Sequence, residues 1–340
     1  MHLKTRNVNT AFKRLVEIIY HREIPITETD SRVGKVLKID ELVTVTYSHP
    51  RERVLFNEAR DANPFFHFYE SLWMLAGRND VASLAHYNSK ISEIASDDGK
   101  TFHGAYGERW RKAGGLLNQL KAIIKHLSKT PNSRRVVLEM WSATRDLVAI
   151  EKTKDVPCNT HAYFAIENGR LNMTVCNRSN DLVWGMLGAN VVHFSYLQEY
   201  LAGALGVRVG LYNQVTNNLH VYTERWKPEE WLESHQLVPT ADPCAKPWHI
   251  YMVDPVSLPT FDAELLIYLE GYYYKLSHPF FLEVAVPIAK AYEDHKYRHY
   301  YTALSHARNI RATDWRKACE NWLLTRKKNW EKKHVESRAN

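Results

Sequence analysis

Apolar and polar positions form three different patterns along the first part of the chain, and these predict an amphipathic helix, a buried helix and a strand or hairpin. In residues 10–23 the apolar side chains recur at helical spacing, which predicts an amphipathic helix with Thr10 as its N-cap. Residues 64–77 start with proline, carry a dense apolar face around Glu70 and stop at glycine, so we expect a buried helix. Residues 35–47 alternate and are rich in β-branched side chains, which predicts a strand or hairpin.

The middle third of the chain is dominated by strand patterns and the final third by helical ones. Residues 134–141, 161–167 and 170–179 are predicted strands, and the turn pair Asn168–Gly169 joins the last two. A helix is predicted over 190–206, followed by a strand, a turn and a helix start over 211–226. Helices are also predicted over 261–276 and in two segments between about 287 and 333.

Composition places the chain among folded proteins with a sizeable core. Of 340 residues, 45% are apolar and 24% charged, and no Pro/Gly/Ser-rich linker divides them, so we expect one large domain with extensions. No apolar run approaches the ~18 residues of a membrane span, and no apolar stretch follows the basic residues at the start. We therefore expect no membrane partner and no secretion.

Cysteine usage and charge narrow the partners further. Four cysteines without C-x-x-C spacing favour reduced thiols in a cytoplasm over a disulfide framework or a zinc site: Cys158, Cys176, Cys244 and Cys319. The net charge of +7 favours anionic partners. Nucleic-acid binding through Trp315, Trp322 and Trp330 is one interpretation, but their spacings of seven and eight are more typical of a helix-packing stripe, so we expect no direct nucleic-acid partner.

One thiol has a sequence context that favours chemistry. Cys158 directly follows Pro157 between a predicted loop and a strand, where a thiol can be exposed at a rim and can have a shifted pKa. Elsewhere, Ser31–Arg32, Ser133–Arg135 and Arg178–Ser179 supply the guanidinium and hydroxyl donors that hold a phosphate dianion. Arginine pairs of this kind also occur as surface ion-pair sites, so these residues alone leave both interpretations open.

The order of short motifs resembles the thymidylate synthase family. The motifs are SR-x-G (31–34), E-x-L-W (70–73), Y-G-x-x-W (106–110), P-x-SRR (131–135), PC (157–158), NRSND (177–181), Gly185, Asn190 and LHVY (219–222). The resemblance covers about residues 30 to 226. It implies an α/β (α+β) fold with a large mixed sheet packed on helices and a sheet-to-sheet homodimer. We expect a catalytic domain over 1–226, with 227–340 completing the fold and adding a helical extension of unknown role.

Within that family the details are more similar to the phage deoxycytidylate and deoxyuridylate hydroxymethylases than to the synthases. Cys158-Asn159-Thr160 and the NRSND and LHVY runs carry this similarity. No tryptophan occurs in residues 90–99, where the synthases have tryptophans beside the folate, and the ending ESRAN does not resemble their closing tail. Both departures imply an intermediate that is open to water rather than reserved for hydride. An ordinary thymidylate synthase is the alternative.

The resemblance also implies roles for individual residues. The Cys158 thiolate adds to pyrimidine C6, the one-carbon unit comes from 5,10-methylenetetrahydrofolate, and Glu70 relays protons and positions the water that adds. No metal is expected. Further catalytic positions are Tyr106, Asp181 and His220, and Asp181 and Gly185 join Glu70 on the folate side. The residues implied to bind the substrate's phosphate and ribose are Arg32, Arg178, Ser179, His220 and Tyr222. Arg134 and Arg135 are implied to bind the phosphate of the partner subunit's substrate.

The base is read by Asn190 in this resemblance. A neutral amide both donates and accepts, which favours uracil and hence dUMP. The sequence GMLGAN (185–190) has one residue more than the family spacing, so dCMP and CMP stay open as substrates. We expect the enzyme in a cytoplasm, that of the host if the chain is phage-encoded.

Neighbouring residues are expected to serve the fold. Cys176, on the strand after Cys158, is expected to be a buried thiol without a chemical role. The residues expected in the core or the wall of the site are Met173, Val175 and Trp184. Asn177 and Asn180 are interpreted as residues that shape their loop.

Overall fold

The computed structural model describes residues 1–234 and 252–339, and in these residues ten strands form two sheets. The strands are β1 (His2–Thr5), β2 (Ile26–Ser31), β3 (Gly34–Ile39), β4 (Val43–Tyr47), β5 (Val137–Glu139), β6 (Asn159–Glu167), β7 (Arg170–Asn177), β8 (Asn180–Asp181), β9 (Arg208–Thr216) and β10 (Leu219–Tyr222).

The α-helices surround these sheets. They are α1 (Val8–Tyr20), α2 (Pro64–Leu75), α3 (Val81–Ala85), α4 (Ile91–Ala95), α5 (Tyr106–Lys112), α6 (Gln119–Lys129), α7 (Asn190–Ala204), α8 (Pro228–Glu233), α9 (Leu258–Leu269), α10 (Val286–Lys296), α11 (Tyr300–Arg308) and α12 (Thr313–Ala339). Short π-helical segments span Ala143–Leu147, Leu182–Ala189 and Phe281–Ala285, and 3₁₀ turns span Thr223–Arg225 and Tyr273–Lys275. No helix in the described part of the chain is long and apolar enough to cross a membrane.

The larger sheet has the strand order β1-β4-β9-β7-β6-β5 and is mixed. β7 pairs antiparallel with β6 and parallel with β9. The smaller sheet, β2-β3-β10-β8, ends in a parallel pair in which His220 lies opposite Asp181. The predicted fold class, a large mixed sheet packed on helices with a helical C-terminal region, is confirmed. The predicted division at residues 226 and 227 stays a prediction.

Several predicted boundaries are wrong by a few residues. The first helix begins at Val8 with Asn7 as its N-cap, and Thr10 instead occupies the third helical position, where its side chain accepts from the Asn7 N–H and completes a capping box. In the segment 134–141 only Val137–Glu139 forms a strand. The region 211–226 contains two strands rather than one, and 287–333 contains three helices rather than two. Hydrophobic pattern fixes the type of an element better than its ends.

The core lies between the larger sheet and the helices α2 and α7. Every residue of α7 is buried, so this helix has no solvent-exposed face. Its sequence is apolar on all sides except for a few polar side chains. The tryptophans of α12 pack into this assembly: Trp315 meets Phe68 at 5.1 Å and Trp322 meets Phe65 at 5.4 Å between ring centroids. The stripe is therefore a packing stripe, as its spacing indicates.

The opposite face of the larger sheet is only partly covered in the single chain. Val137, Tyr163 and Leu211 lie on this outer face and are between 42% and 51% exposed. Cys176 lies there as well, because strand residues alternate between faces. The expectation that Cys176 is a buried thiol is therefore wrong, since its side chain is half-buried. Cys244 lies outside the described residues.

A buried ion pair connects α5 to the segment that leads to Cys158. The Arg109 guanidinium donates to both oxygens of Asp146, at 2.5 and 2.7 Å, and to the backbone oxygens of Met140 and His103. Asp146 is fully buried and also accepts from the Ser142 N–H. This pairing lowers the Asp146 pKa against the burial that would raise it. Removing one partner leaves an uncompensated buried charge.

Asp146→Asn is expected to destabilise the protein by about 3 kcal/mol, because the Arg109 charge stays buried without its counter-ion. Urea denaturation followed by tryptophan fluorescence measures the loss. Glu151→Gln, at an exposed position of the same segment, is the matched control and should change the unfolding free energy little. Equal stability of the two variants would contradict this account of the pair.

Candidate active site

The thiol of Cys158 lies at the junction of a loop and strand β6. The Tyr106 hydroxyl accepts from the backbone N–H groups of Cys158 and Asn159, at 3.2 and 3.3 Å, so α5 positions this junction. The Arg178 N–H donates to the Cys158 carbonyl at 2.9 Å. A register shift between Asn159 and His161 marks a bulge directly after the cysteine. Bulges of this kind re-aim side chains beside active sites.

The Arg178 guanidinium lies against the same loop. It donates to the carbonyl oxygens of Pro157 and Val156, both at 2.9 Å, and its Nη2 lies 3.6 Å from the Cys158 Sγ. Burial raises the pKa of the Cys158 thiol, the Arg178 charge opposes that shift, and Asp155 adds to it. The thiol is therefore mainly protonated at neutral pH in this state, and the nearest cation stabilises its thiolate.

Glu70 is buried in α2, where 7% of the residue is exposed. Its Oε2 lies 2.8 Å from the Nε2 of His193, which is buried in α7. Nearby, burial first, and then the charges of Arg60 and His193, lower the pKa of His67 to about 3. His67 is thus neutral. The hydrogen-bond partner of the Glu70 carboxylate is the imidazole of His193.

Asp181, His220 and Tyr222 meet where β8 and β10 lie side by side. Asp181 accepts from the backbone N–H groups of Val183 and Trp184 and so caps the π-helical segment Leu182–Ala189. Burial raises the pKa of Asp181 and lowers that of His220, so each group is shifted toward its neutral form despite their mutual attraction. The rings of His220 and Tyr222 meet edge to face at 5.5 Å. Burial raises the Tyr222 pKa, and the charges of Asp181 and Cys158 raise it further, while Arg32 lowers it.

Four asparagines form a chain of amide hydrogen bonds beside the thiol. Asn159 Nδ2 lies 3.5 Å from Asn190 Oδ1, Asn190 Nδ2 donates to Asn180 Oδ1 at 3.0 Å, and Asn180 Nδ2 donates to Asn177 Oδ1 at 3.4 Å. Each of the four is at most 7% exposed. We call these four residues the amide chain. It brings Asn190, the predicted base reader, to the residue next to Cys158.

The extra residue between Gly185 and Asn190 is accommodated by π-helical geometry. The Asn190 N–H bonds to the Gly185 carbonyl, five residues back, rather than four as in an α-helix. A Cβ at position 185 would lie 2.4 Å from Asn180 Oδ1, so a larger residue there would displace the Asn180 side chain. The predicted role of Gly185 on the folate side stays a prediction, but its identity already follows from this close approach.

Trp184 lies at the rim of the site rather than in the core. The residue is 49% exposed, and two guanidiniums lie over its ring, with Arg60 at 4.6 Å and Arg225 at 5.3 Å from the ring centroid. Met173 and Val175, by contrast, are fully buried core residues, as predicted. The rim thus combines a flat aromatic surface with two cations, which suits a planar ligand that carries negative charge.

Only some of the predicted phosphate ligands lie near the loop that carries Cys158. The Arg32 guanidinium reaches the Lys154 carbonyl at 3.4 Å, in the loop that leads to Cys158, and Ser179 follows Arg178 directly. Arg134 and Arg135 are exposed and precede β5, and within the described residues no hydrogen bond or ion pair joins their side chains to the Cys158 region. A role for Arg134 and Arg135 at this thiol of the same chain therefore has no support from the geometry.

Sequence reasoning misses three residues of this region. His193 is hidden from it because its partner Glu70 is 123 positions away, although His193 follows Asn190 by three residues on a predicted helix. Asn180 is interpreted there as a loop former, and Asn159 only as a family hallmark. The concentration of asparagines in NRSND and CNT is the signal that points to both residues as candidates. In the described part of the chain, no group of three His, Cys, Asp or Glu side chains is arranged to hold a metal ion.

Comparison with known proteins identifies the family. Residues 45–244 match the family described as thymidylate synthase. A deoxyuridylate hydroxymethyltransferase of Pseudomonas phage M6 is 43% identical over 340 residues, covering 96% of this chain and 94% of that protein. One of Bacillus phage SP01 is 40% identical over 200 residues, covering 56% of this chain and 52% of that protein. A thymidylate synthase of Symbiobacterium thermophilum is 29% identical over 166 residues, covering 45% of this chain and 57% of that protein.

The chain therefore belongs to the thymidylate synthase family, as its motifs predict. Members of this family transfer one-carbon units and use 5,10-methylenetetrahydrofolate as co-substrate.

Alkylation of Cys158 by iodoacetamide is expected to accelerate with pH up to and beyond pH 9, because burial raises the thiol pKa. Arg178→Gln should move the midpoint to higher pH, whereas Arg178→Lys, which keeps the charge, should move it less. Peptide mass spectrometry resolves the label on Cys158 from that on the other cysteines. A midpoint that Arg178→Gln leaves in place would contradict the electrostatic role of this arginine.

Proposed function

We propose that this enzyme hydroxymethylates C5 of a pyrimidine nucleoside 5'-monophosphate, with dUMP preferred over dCMP and CMP. The relatives named deoxyuridylate hydroxymethyltransferase support the reaction, and the amide of Asn190 supports the uracil base. Thymidylate synthesis, in which hydride from the folate completes a methyl group, is the less favoured reaction of the family.

One observation carries the choice of water over hydride. Residues 90–99 lie against the loop that leads to Cys158, because Asp97 accepts from the Thr153 hydroxyl and from the Lys154 N–H. This segment contacts the loop that leads to the thiol, yet it contains no tryptophan. Without a large aromatic cover here, water has access to the reacting carbon, and a hydroxyl rather than a hydride completes the product.

Each reacting group has a defined task in this scheme. The Cys158 sulfur bonds to C6, which makes C5 nucleophilic, and Arg178 stabilises the thiolate before that attack. The folate, when bound, supplies a carbon at the formaldehyde oxidation level. C5 gains a CH₂ group and loses its proton, and tetrahydrofolate leaves. Glu70, held by His193, orients the water and accepts its proton as the oxygen bonds to the CH₂ carbon. The electron pair that this addition delivers to the ring expels the Cys158 thiolate from C6 and re-forms the C5=C6 double bond.

The rim of the site fits the folate's chemistry. Its p-aminobenzoyl-glutamate portion is planar at one end and anionic at the other, which matches the half-exposed Trp184 and the guanidiniums of Arg60 and Arg225. Asp181 caps the π-helical segment Leu182–Ala189, and Gly185 lies within it. The Asp181 carboxyl group lies at the start of this segment and is suited to hydrogen-bond a pterin ring.

The partly exposed outer face of the larger sheet supports the homodimer. Val137, Tyr163 and Leu211 are apolar side chains on a sheet face that no helix of the described chain covers fully. Arg134 and Arg135 precede the edge strand of that sheet and are exposed, so they are available to a phosphate held by the partner subunit. The free thiol chemistry and the three free cysteines in the described residues favour a reducing cytoplasm.

Incubation with 5,10-methylenetetrahydrofolate and dUMP is expected to add CH₂O to the nucleotide, without the absorbance change of dihydrofolate formation. Parallel reactions with dCMP and CMP rank the substrates, and mass spectrometry of the nucleotide identifies each product. Cys158→Ala should abolish the product while dUMP still binds, and Glu70→Gln should lower kcat far more than it weakens dUMP binding. A gain of CH₂ together with dihydrofolate would instead identify a synthase.

Mixing two inactive variants tests the shared site. Cys158→Ala and the double variant Arg134→Ala/Arg135→Ala are each expected to be inactive as homodimers. After subunit exchange, mixed dimers carry one site with both an intact thiol and intact arginines, so activity should return in part. As a control, Cys158→Ala subunits are exchanged with Glu70→Gln subunits. This mixture contains an intact site only if the Cys158 and Glu70 of one site come from different chains. No recovery in the first mixture would contradict the shared phosphate site.

A further inference from the structure

We propose that Asn180 is a positioning residue that fixes the amide of Asn190 in one orientation and thereby sets which pyrimidine base the enzyme accepts. The inference rests on the proposed function, in which Asn190 reads the base. Asn180 makes the shortest hydrogen bond of the amide chain, 3.0 Å from its Oδ1 to the Nδ2 of Asn190.

The direction of the amide chain is set by backbone carbonyls at one end. Asn177 Nδ2 donates to the Val215 oxygen at 3.2 Å and lies 3.5 Å from the Val175 oxygen. A carbonyl oxygen only accepts, so Asn177 must turn its Nδ2 toward these groups and its Oδ1 toward Asn180. Asn180 must then donate to Asn177, which leaves its own Oδ1 facing Asn190.

The same reasoning fixes the orientation of Asn190, the next residue of the amide chain. Because Asn180 offers an oxygen, Asn190 must turn its Nδ2 toward Asn180 and its Oδ1 toward Asn159. An inverted Asn190 would bring two oxygens together at Asn180, whose own orientation is set by Asn177. All four residues are buried, so water does not relieve such a clash. The orientation is therefore determined by the protein and not by the bound base.

Orientation matters because uracil and cytosine differ by an exchange of donor and acceptor. Uracil presents the O4 acceptor beside the N3–H donor, whereas cytosine presents the N4–H₂ donor beside the N3 acceptor. Asn190 keeps one N–H hydrogen and one oxygen lone pair beyond those used in the amide chain. Turning the amide by 180° exchanges these two, and so a freely turning Asn190 would match either base. An amide held in one orientation matches one of them.

The surroundings restrict Asn180 to this role. A Cβ at Gly185 would lie 2.4 Å from the Asn180 Oδ1, so the glycine leaves that oxygen just enough room. The Asn190 N–H is tied to the Gly185 carbonyl by the π-helical bond. The extra residue of the 185–190 segment is thus absorbed without separating Asn190 from Asn180.

Two variants of nearly equal size separate the hydrogen bond from the shape of the side chain. Asn180→Leu keeps the volume but removes the acceptor, whereas Asn180→Asp keeps an oxygen toward Asn190. Isothermal titration calorimetry measures the dissociation constants of dUMP and dCMP for each protein, without folate. In Asn180→Leu the dissociation constant of dCMP divided by that of dUMP should fall by about tenfold or more, which is the effect of one buried hydrogen bond. Asn180→Asp should keep most of the wild-type ratio.

The controls identify which part of the account fails. Asn88→Leu, the same substitution outside the amide chain, should leave both dissociation constants unchanged. If Asn180→Leu does not fold, Asn180→Ser, whose side chain is too short to reach Asn190, should show the same loss of selectivity. A wild-type protein that binds neither nucleotide contradicts the proposed function. A selective wild type whose ratio survives in Asn180→Leu or Asn180→Ser, or is lost equally in Asn180→Asp, overturns the positioning role.

Discussion

The register of the β6–β7 hairpin is the constraint on which the site depends. Asn159 lies opposite Asn177, and the Arg178 N–H bonds to the Cys158 carbonyl, so the thiol, its guanidinium and two members of the amide chain meet at one end of one hairpin. A slip by one residue would turn each of these side chains to the other face of the sheet. The turn at Asn168–Gly169, where both residues have positive φ (51° and 69°), fixes the register from the far end.

Around this hairpin, helices supply the groups that no strand carries. α2 presents Glu70 and α7 presents both Asn190 and His193, which share one face because they are three residues apart. The π-helical segment before α7 absorbs one residue and still delivers Asn190 to Asn180. Polar groups buried in this way are costly unless they have partners, and here Glu70 pairs with His193 and Asn190 pairs with Asn180. The same interactions that complete the fold therefore also orient the reacting groups.

The parts of this arrangement that depend on near neighbours are predictable from sequence alone. The Asn168–Gly169 turn, the helix after Pro64 and the alternation of β6 and β7 are local, and the predicted element type is correct for each. The parallel pairing of β7 with β9 and the hydrogen bond between Glu70 and His193 join distant segments, and no local pattern encodes them. The expectation for Cys176 is wrong for the same reason, since which strand face is covered depends on where helices pack. The family motifs point to Cys158, Glu70 and Asn190, and to Tyr106 and Arg178, which hold the Cys158 loop, but not to His193, which holds Glu70.

The central claim is that water, not hydride, completes the product on a carbon that C5 has acquired. The most direct measurement is turnover of dUMP with 5,10-methylenetetrahydrofolate in ¹⁸O-labelled water, followed by mass spectrometry of the purified nucleotide. The account predicts a hydroxymethyl product that carries the heavy oxygen, with tetrahydrofolate as the other product. A methylated nucleotide without label, formed together with dihydrofolate, would contradict it.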